Sequence, residues 1–340
     1  MTSHPYQHHN TIAPPVVQVT VNGSVNAPIS ITVDASTAEP AYPQNAEMSH
    51  LEPYELHKQE TVRVVDLIPS HLRNRSSLML MASCGSYLAF RHYRDDHREL
   101  HRANWCRQRL CPMCAWRLSV EHFARLMQVM PNYKSAIHVV LTTPNVEDAA
   151  LAGTIHTLLQ GSNQLWRFIS HSGKNTRHPD IPQKIVRGRV RTLEVHRGKD
   201  GLWHPHIHEL WIPVDNYGTD NGPYLAQQQL SQIWGDLIGV DKPIVWMRGI
   251  KPRHNRQETA EAVLETSKYI CKPGNLQTGH DFAVLHEAVY GKRIWTVAGC
   301  VRDDLARIPE DLPEIGVEGI DYVLEHFRWL SKIGYVATKT

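Results

Sequence analysis

Apolar positions change their rhythm several times along the second half of the chain. In "PMCAWRLSVEHFARLMQVM" (112–130) they recur every three to four residues, the period of an amphipathic helix, and Pro112 suits its first turn. "SAIHVVLTT" (135–143) is a short apolar run stopped by Pro144 and predicts a buried strand. Residues 146–170 return to the helical period, with an interruption expected at Gly161. Two strands follow, "KIVRGRVRTLEVHR" (184–197) and "WHPHIHELWIPV" (203–214), joined by the turn "GKDG" (198–201). A helix over 222–238, the strand "PIVWMRGI" (243–250) and a helix over 257–271 complete the order β-α-β-β-α-β-α. That order predicts an α+β fold, an antiparallel or mixed sheet with helices on one face. Residues 1–60 are rich in Pro, Ser, Thr, Asn and Ala. Their Val/Ile alternation over 16–33 suits a strand or two, but the composition predicts a disordered leader without chemistry.

Composition refines this reading. With 340 residues and 41% hydrophobic content the chain can bury a sizeable core. No apolar run reaches the ~18 residues of a membrane span, and no signal-peptide pattern opens the chain. A soluble, cytoplasmic protein is expected. The net charge of +2 hides an asymmetry: residues 1–60 hold one basic residue, Lys58, and six acidic ones, leaving 35 basic and 28 acidic residues beyond. That excess suits a polyanionic partner.

Three constellations carry candidate chemistry. "CRQRLCPMC" spaces Cys106, Cys111 and Cys114 as a metal knuckle, and Cys84 is the fourth ligand chosen, with His97 and His101 as rivals. Four thiolates would close the shell around a structural Zn²⁺; the bland alternative is buried free thiols. Arg102, Arg107, Arg109 and Arg117 lie around the knuckle and could hold phosphates.

In "WHPHIHELWI" (203–212) His204, His206 and His208 alternate, so on a strand they share one face. A turn centred on residue 200 pairs Glu194 with His206, His196 with His204 and Thr192 with His208. Two imidazoles and a carboxylate suit a divalent ion with open positions, Mn²⁺ or Mg²⁺. His204 is a third ligand or a group that orients the others; a lone histidine here would be structural.

On a helical wheel over "ETAEAVLETSKYICKPG" (258–274), Ala260, Val263, Leu264, Ile270 and Cys271 fall on one side. Glu258, Glu261, Glu265, Lys268, Tyr269 and Lys272 fall on the other, with Glu265 and Tyr269 spaced i, i+4. A solvated polar face with an incidental tyrosine would look the same. A tyrosine beside a cation site suggests nucleophilic attack on a phosphodiester.

With these motifs in this order, the chain resembles the rolling-circle replication initiators of small plasmids, in the HUH endonuclease superfamily. The likeness covers roughly residues 80–310 and rests on "CRQRLCPMCAWRLS", "VVLTTPN", "LEVHRGKDGLWHPHIHELWI", "ETSKYICKPG" and "YGKRIWTVAGCVRDDL". It implies a five-stranded antiparallel sheet flanked by helices, with His206 and His208 on a central strand binding the divalent ion together with Glu194. It implies that Tyr269 attacks one strand of the replication origin, remains joined to the 5′ phosphate and frees a 3′ hydroxyl for a polymerase. Glu265 would activate water to end the cycle, and Lys268 and Lys272 would hold the phosphate or the phenolate. The DNA would be single-stranded or an extruded hairpin. No Walker motif is present, so a host helicase is expected as a partner beside the DNA polymerase. The domains expected are a leader (1–60), a zinc-knuckle region and helix (61–130), a nicking and joining domain (131–310) and a helical tail (311–340). The rivals are an HUH transposase or relaxase and a non-catalytic, zinc-stabilised DNA-binding protein.

Overall fold

The structure is a computed structural model that describes residues 17–18, 30–31, 50–171, 178–179, 181–198, 200–268, 276–308 and 322–338. The chain divides into two units, Met1–Pro53 and Tyr54–Thr340. Most of the expected leader lies outside the described residues; within it two short strands, β1 (Val17–Gln18) and β2 (Ser30–Ile31), pair antiparallel. Helix α1 (Glu52–Asp66) begins before the boundary expected at residue 60. The low-complexity composition of the leader masked its start, although Thr61 and Val64 are fully buried.

The elements that follow are α2 (Ser70–Arg73), α3 (Ser76–Met79), the hairpin β3 (Tyr87–Tyr93) and β4 (Arg98–Ala103), and α4 (Pro112–Val129). Then come β5 (Ala136–Thr142), α5 (Asp148–Ser170), β6 (Val186–Arg197), β7 (Trp203–Pro213), α6 (Gln227–Ile238) and β8 (Val245–Ile250). α7 (Arg256–Ser267), α8 (Gly279–Val289), β9 (Trp295–Gly299), α9 (Cys300–Leu305), β10 (Tyr322–Leu330) and β11 (Gly334–Ala337) close the chain.

Five strands form one wholly antiparallel sheet in the order β8-β5-β7-β6-β9, which puts the histidine strand β7 at its centre. Trp203, Ile207, Leu210, Trp211 and Ile212 of β7 are inaccessible to solvent. Burial of such side chains contributes ~1.5–3 kcal/mol each, which fixes the central strand firmly.

Helices cover both faces of this sheet, not the one face that the element order suggested. On one face Ser162 of α5 donates to Glu209 of β7 (2.6 Å), and Arg189 of β6 donates to Ser162 and Glu209 (2.8–3.3 Å). On the other, α7 faces His208 across a cleft. The second layer was hard to anticipate because the strand face under α5 carries the buried charges of Arg189, Arg191 and Glu209 instead of a plain apolar stripe. Nor does Gly161 interrupt α5. A Cβ there would come within 3.0 Å of Trp234 and Ile238 of α6, so the glycine allows the two helices to pack closely. Gly299 (φ +62°) has a similar part at the sheet edge, where a Cβ would stand 2.1 Å from the Arg187 carbonyl oxygen.

A second antiparallel sheet has the order β11-β10-β3-β4. The tail expected to be helical therefore supplies two strands, β10 and β11, while 311–321 lie outside the described residues. Its strand character comes from pairing along the whole of β3, Tyr322 opposite Tyr93 through Arg328 opposite Tyr87, a partner more than two hundred residues away. Phe327 packs edge-on against Phe90, and the Tyr335 hydroxyl donates to the Gly85 carbonyl.

Candidate metal centres and the adjoining cleft

The β6–β7 register pairs Glu194 with His206, His196 with His204 and Thr192 with His208, as the turn centred on residue 200 requires. Glu194, His206 and His208 thus converge, with donor atoms within 4.8 Å of one another. Oε2 of Glu194 lies 3.2 Å from His208 Nε2 and 3.5 Å from His206 Nε2. All three side chains are buried.

The contacts around them leave both Nε2 atoms facing the Glu194 carboxyl. His206 Nδ1 faces the His204 carbonyl oxygen at 3.3 Å; a carbonyl only accepts, so Nδ1 carries the proton and Nε2 keeps its lone pair. His208 Nδ1 faces His138 Nε2 at 3.3 Å, while His208 Nε2 is buried and makes no hydrogen bond. An orphaned buried nitrogen beside a carboxylate fits a cation between them. Burial pushes the His138 pKa down to about 3, and the charges of His208, Lys268 and Arg248 add to this, so His138 is a neutral partner for His208. Burial works to raise the Glu194 carboxyl, but the His206 and His208 rings beside it outweigh this and hold the group well below the usual carboxylate range. Glu194 is therefore a carboxylate, available to a cation. His204 lies toward the end of the row, its Nδ1 3.1 Å from His196 Nε2.

His138 escaped the sequence reading. It stands alone in an apolar strand, seventy residues from His208, and only the β5–β7 pairing brings the two rings together.

A cleft of about 520 Å³ opens beside His208 and His138, walled by Trp246 and Arg248 of β8 and by Glu258, Glu261 and Glu265 of α7. The polar side of the predicted wheel thus faces the cleft. Asn255 caps α7 by accepting from the Glu258 amide (3.0 Å). The helix ends earlier than expected, at Ser267 rather than 271, and Lys268 has extended backbone (φ −57°, ψ 158°). Thr266 and Ser267 bond their hydroxyls back to carbonyls of the preceding turn, and the Trp295 indole takes the Thr266 carbonyl (3.2 Å), which together stop the helix. Lys268 forms an ion pair with Glu265. Tyr269, Cys271 and Lys272 lie outside the described residues, so the i, i+4 relation of Glu265 to Tyr269 rests on the sequence alone.

Cys84, Cys106, Cys111 and Cys114 form the second convergence, all buried and all free thiols. The Sγ atom of Cys114 lies 3.5 Å from that of Cys84 and 3.7 Å from that of Cys106. A tetrahedron with ~2.3 Å metal–sulfur bonds has edges of about 3.8 Å, close to both of these spacings. Backbone amides of Cys106, Arg107 and Gln108 point at these sulfurs (3.3–3.4 Å). Lys58 of α1 is buried beneath the cluster, donating to the Ala82 and Cys84 carbonyls (3.0 and 2.7 Å). Burial lowers the Lys58 pKa, while the charges of Cys84, Cys111 and Cys106 oppose the shift. Neither His97 nor His101 belongs to this group. Of the expected phosphate contacts, Arg107 and Arg109 are exposed, Arg109 donating to the Val289 carbonyl (2.8 Å), while Arg117 stacks over Trp105 and pairs with Glu121.

Comparison with known proteins settles the family. The sequence profile described as "Replication protein" matches residues 97–323, two thirds of the chain. The chain belongs to the replication protein family. It is 28% identical to "Protein rep" of Streptococcus pneumoniae over 66% of this chain and 70% of that one. It is 26% identical to "Protein rep" of Staphylococcus aureus over 65% of this chain and 92% of the relative. A Bacillus "Protein rep" is 30% identical over 59% and 67% of the two chains. No solved structure matches this replication protein. The match spans α4, both strands of the histidine hairpin, α7 and β9, so every motif of the resemblance lies inside it. The chain is thereby a plasmid replication initiator of the rolling-circle kind, and both the Cys and the Glu–His groups of this replication protein could hold metal. None of its described helices is long and apolar enough to cross a membrane.

Proposed function

We propose that this protein starts replication by cutting one strand of the plasmid origin with Tyr269. The observation that carries the proposal is that Glu265, on the helix that leads directly to Lys268 and Tyr269, lines the same cleft as His208. Glu194, His206 and His208 hold Mn²⁺ or Mg²⁺, with the His204 carbonyl fixing the tautomer of His206. The bound ion supplies Lewis acidity toward an oxygen of the scissile phosphate. The Tyr269 phenol, with an ordinary pKa near ~10, must shed its proton as its oxygen attacks phosphorus, and the positive charges of Lys268 and Lys272 favour the phenolate. The P–O3′ bond breaks, the 3′ oxygen leaves and takes up a proton, and the tyrosine stays joined to the 5′ phosphate. The free 3′ hydroxyl primes a host DNA polymerase, and a host helicase opens the duplex ahead of it. At termination Glu265 takes a proton from water, which then displaces the tyrosine. Cys84, Cys106, Cys111 and Cys114 hold a structural Zn²⁺ with no open position. Arg107 contacts DNA phosphates, with Arg109 and Arg117 nearby. The reaction belongs in the cytoplasm, where plasmid, helicase and polymerase meet.

The test is incubation of the protein with single-stranded origin DNA and Mn²⁺, followed by denaturing electrophoresis. A protein–DNA adduct that survives denaturation is expected. Tight binding without an adduct on either origin strand would overturn the proposal in favour of a non-catalytic, zinc-stabilised binder.

Two further outcomes follow from the cleft. Glu265→Ala should still form the adduct but accumulate it, because the water that ends the cycle loses its base; adduct turnover at the wild-type rate would remove Glu265 from that role. Trp246 is 41% exposed at the cleft and meets His138 edge-on, a surface on which an unpaired base can stack. Trp246→Ala should weaken binding of single-stranded DNA by roughly 5- to 150-fold, the equivalent of ~1–3 kcal/mol per stacked base. Fluorescence anisotropy reads this directly.

A further inference from the structure

The histidine face contains one imidazole pair more than the Glu194, His206 and His208 group uses. His196, His204 and His206 form a separate convergence whose ring nitrogens also lie within 4.8 Å of one another. His196 and His204 face each other across the β6–β7 pair, with nitrogens 3.1 Å apart and ring centroids 4.7 Å apart. The His206 ring is 5.3 Å from that of His196 and 5.4 Å from that of His204. A tetrahedral site with ~2.05 Å metal–nitrogen bonds has nitrogens about 3.3 Å apart, close to the 3.1 Å between His196 and His204. A hydrogen bond between two imidazoles explains one such contact but gives no reason for a third ring beside them.

The two groups differ in chemistry and share one member. Glu194 gives the first a charged oxygen, which suits Mg²⁺ or Mn²⁺. The second has nitrogen donors only, and imidazole sets favour borderline ions such as Zn²⁺, Cu²⁺ and Ni²⁺. One lone pair of His206 cannot serve two ions at once.

We propose that His196, His204 and His206 form a second cation site, selective for zinc-class ions, whose occupation draws His206 away from Glu194 and His208. Zinc binding there lowers the affinity of the first group for Mn²⁺. Under the nicking reading, on which this consequence alone rests, excess zinc silences the enzyme while the cysteine cluster stays loaded. The row of three alternating histidines is then a pair of overlapping sites.

The experiment uses the full chain with its cysteine cluster already loaded. Zn²⁺ is titrated against a chromogenic chelator, and Mn²⁺ binding is followed by electron paramagnetic resonance. The wild type should take up a further equivalent of zinc, and with it bound the apparent Mn²⁺ affinity should fall about tenfold or more. His196→Gln should weaken uptake of the further zinc about tenfold or more and leave the Mn²⁺ signal unchanged, which also reports an intact fold. Glu194→Gln should do the opposite, losing Mn²⁺ and keeping the zinc. A further zinc that survives His196→Gln, or that depends on Glu194, overturns the proposal, as does a further zinc with no effect on Mn²⁺. Zinc uptake that depends on His196 in a wild type that binds Mn²⁺ but forms no adduct would support the second site and defeat the nicking reading separately.

Discussion

Phenylalanine in place of Tyr269 is expected to leave neither covalent adduct nor nicked strand. The substitution removes one oxygen and keeps the ring, so packing and charge are preserved while the nucleophile is lost. The described side chains of the cleft are poor substitutes: the carboxylates Glu258, Glu261 and Glu265 are engaged with Arg248 and Lys268, His138 and His208 contact each other, and the rest are a guanidinium, an indole and apolar groups. Loss of a covalent nucleophile removes the bond-forming step itself, so at least a ~10³-fold fall in nicking is expected, against unchanged binding of single-stranded DNA and of Mn²⁺. Adduct at the wild-type yield from the phenylalanine variant would assign the attack to another residue and end the proposed mechanism.

Cys111→Ser should have the other large effect, on the fold. Cys111 is fully buried at the head of α4, its sulfur 3.9 Å from the Thr61 hydroxyl of α1, and it joins that helix pair to the loops carrying Cys84 and Cys106. Binding energy at such a cluster is folding energy, on the order of 10 kcal/mol or more for structural zinc in small domains. The serine variant should lose its zinc, about one ion per chain in dialysed wild type, and melt at a markedly lower temperature. Protease should open α1 and α4 before the five-stranded sheet. A variant that melts with the wild type, together with a chelator-treated wild type that does the same, would show that the four thiols are packing residues.

Much of the candidate site was legible because it is local. A short connection between Arg197 and Trp203 fixes the β6–β7 register, so Glu194 opposite His206 could be deduced by counting outward from residue 200. The cysteine spacing picked out three of the four converging thiols directly, and Cys84 was the nearest remaining one. What could not be deduced depends on partners distant in sequence. His138 acquires a role only through β5–β7 pairing, and β10 becomes a strand only beside β3. The end of α7 depends on Trp295, which arrives from β9 to hold the Thr266 carbonyl. Helical periodicity carries no trace of that contact, so the wheel ran on past Ser267.

The charged cluster beneath α5 bears on how β7 finds its place. Histidine at every second position makes the strand ambiguous: sliding by two residues keeps every side chain on its proper face and sets His204 or His208 opposite Glu194 where His206 belongs. Hydrophobic patterning cannot reject such a decoy alignment. The reverse side of the strand can, because the slide would pull Glu209 from Ser162 and Arg189 and strand a carboxylate in the dark interior. Glu209 thus proofreads the alignment from behind, allowing the histidine row to be repetitive without being misread.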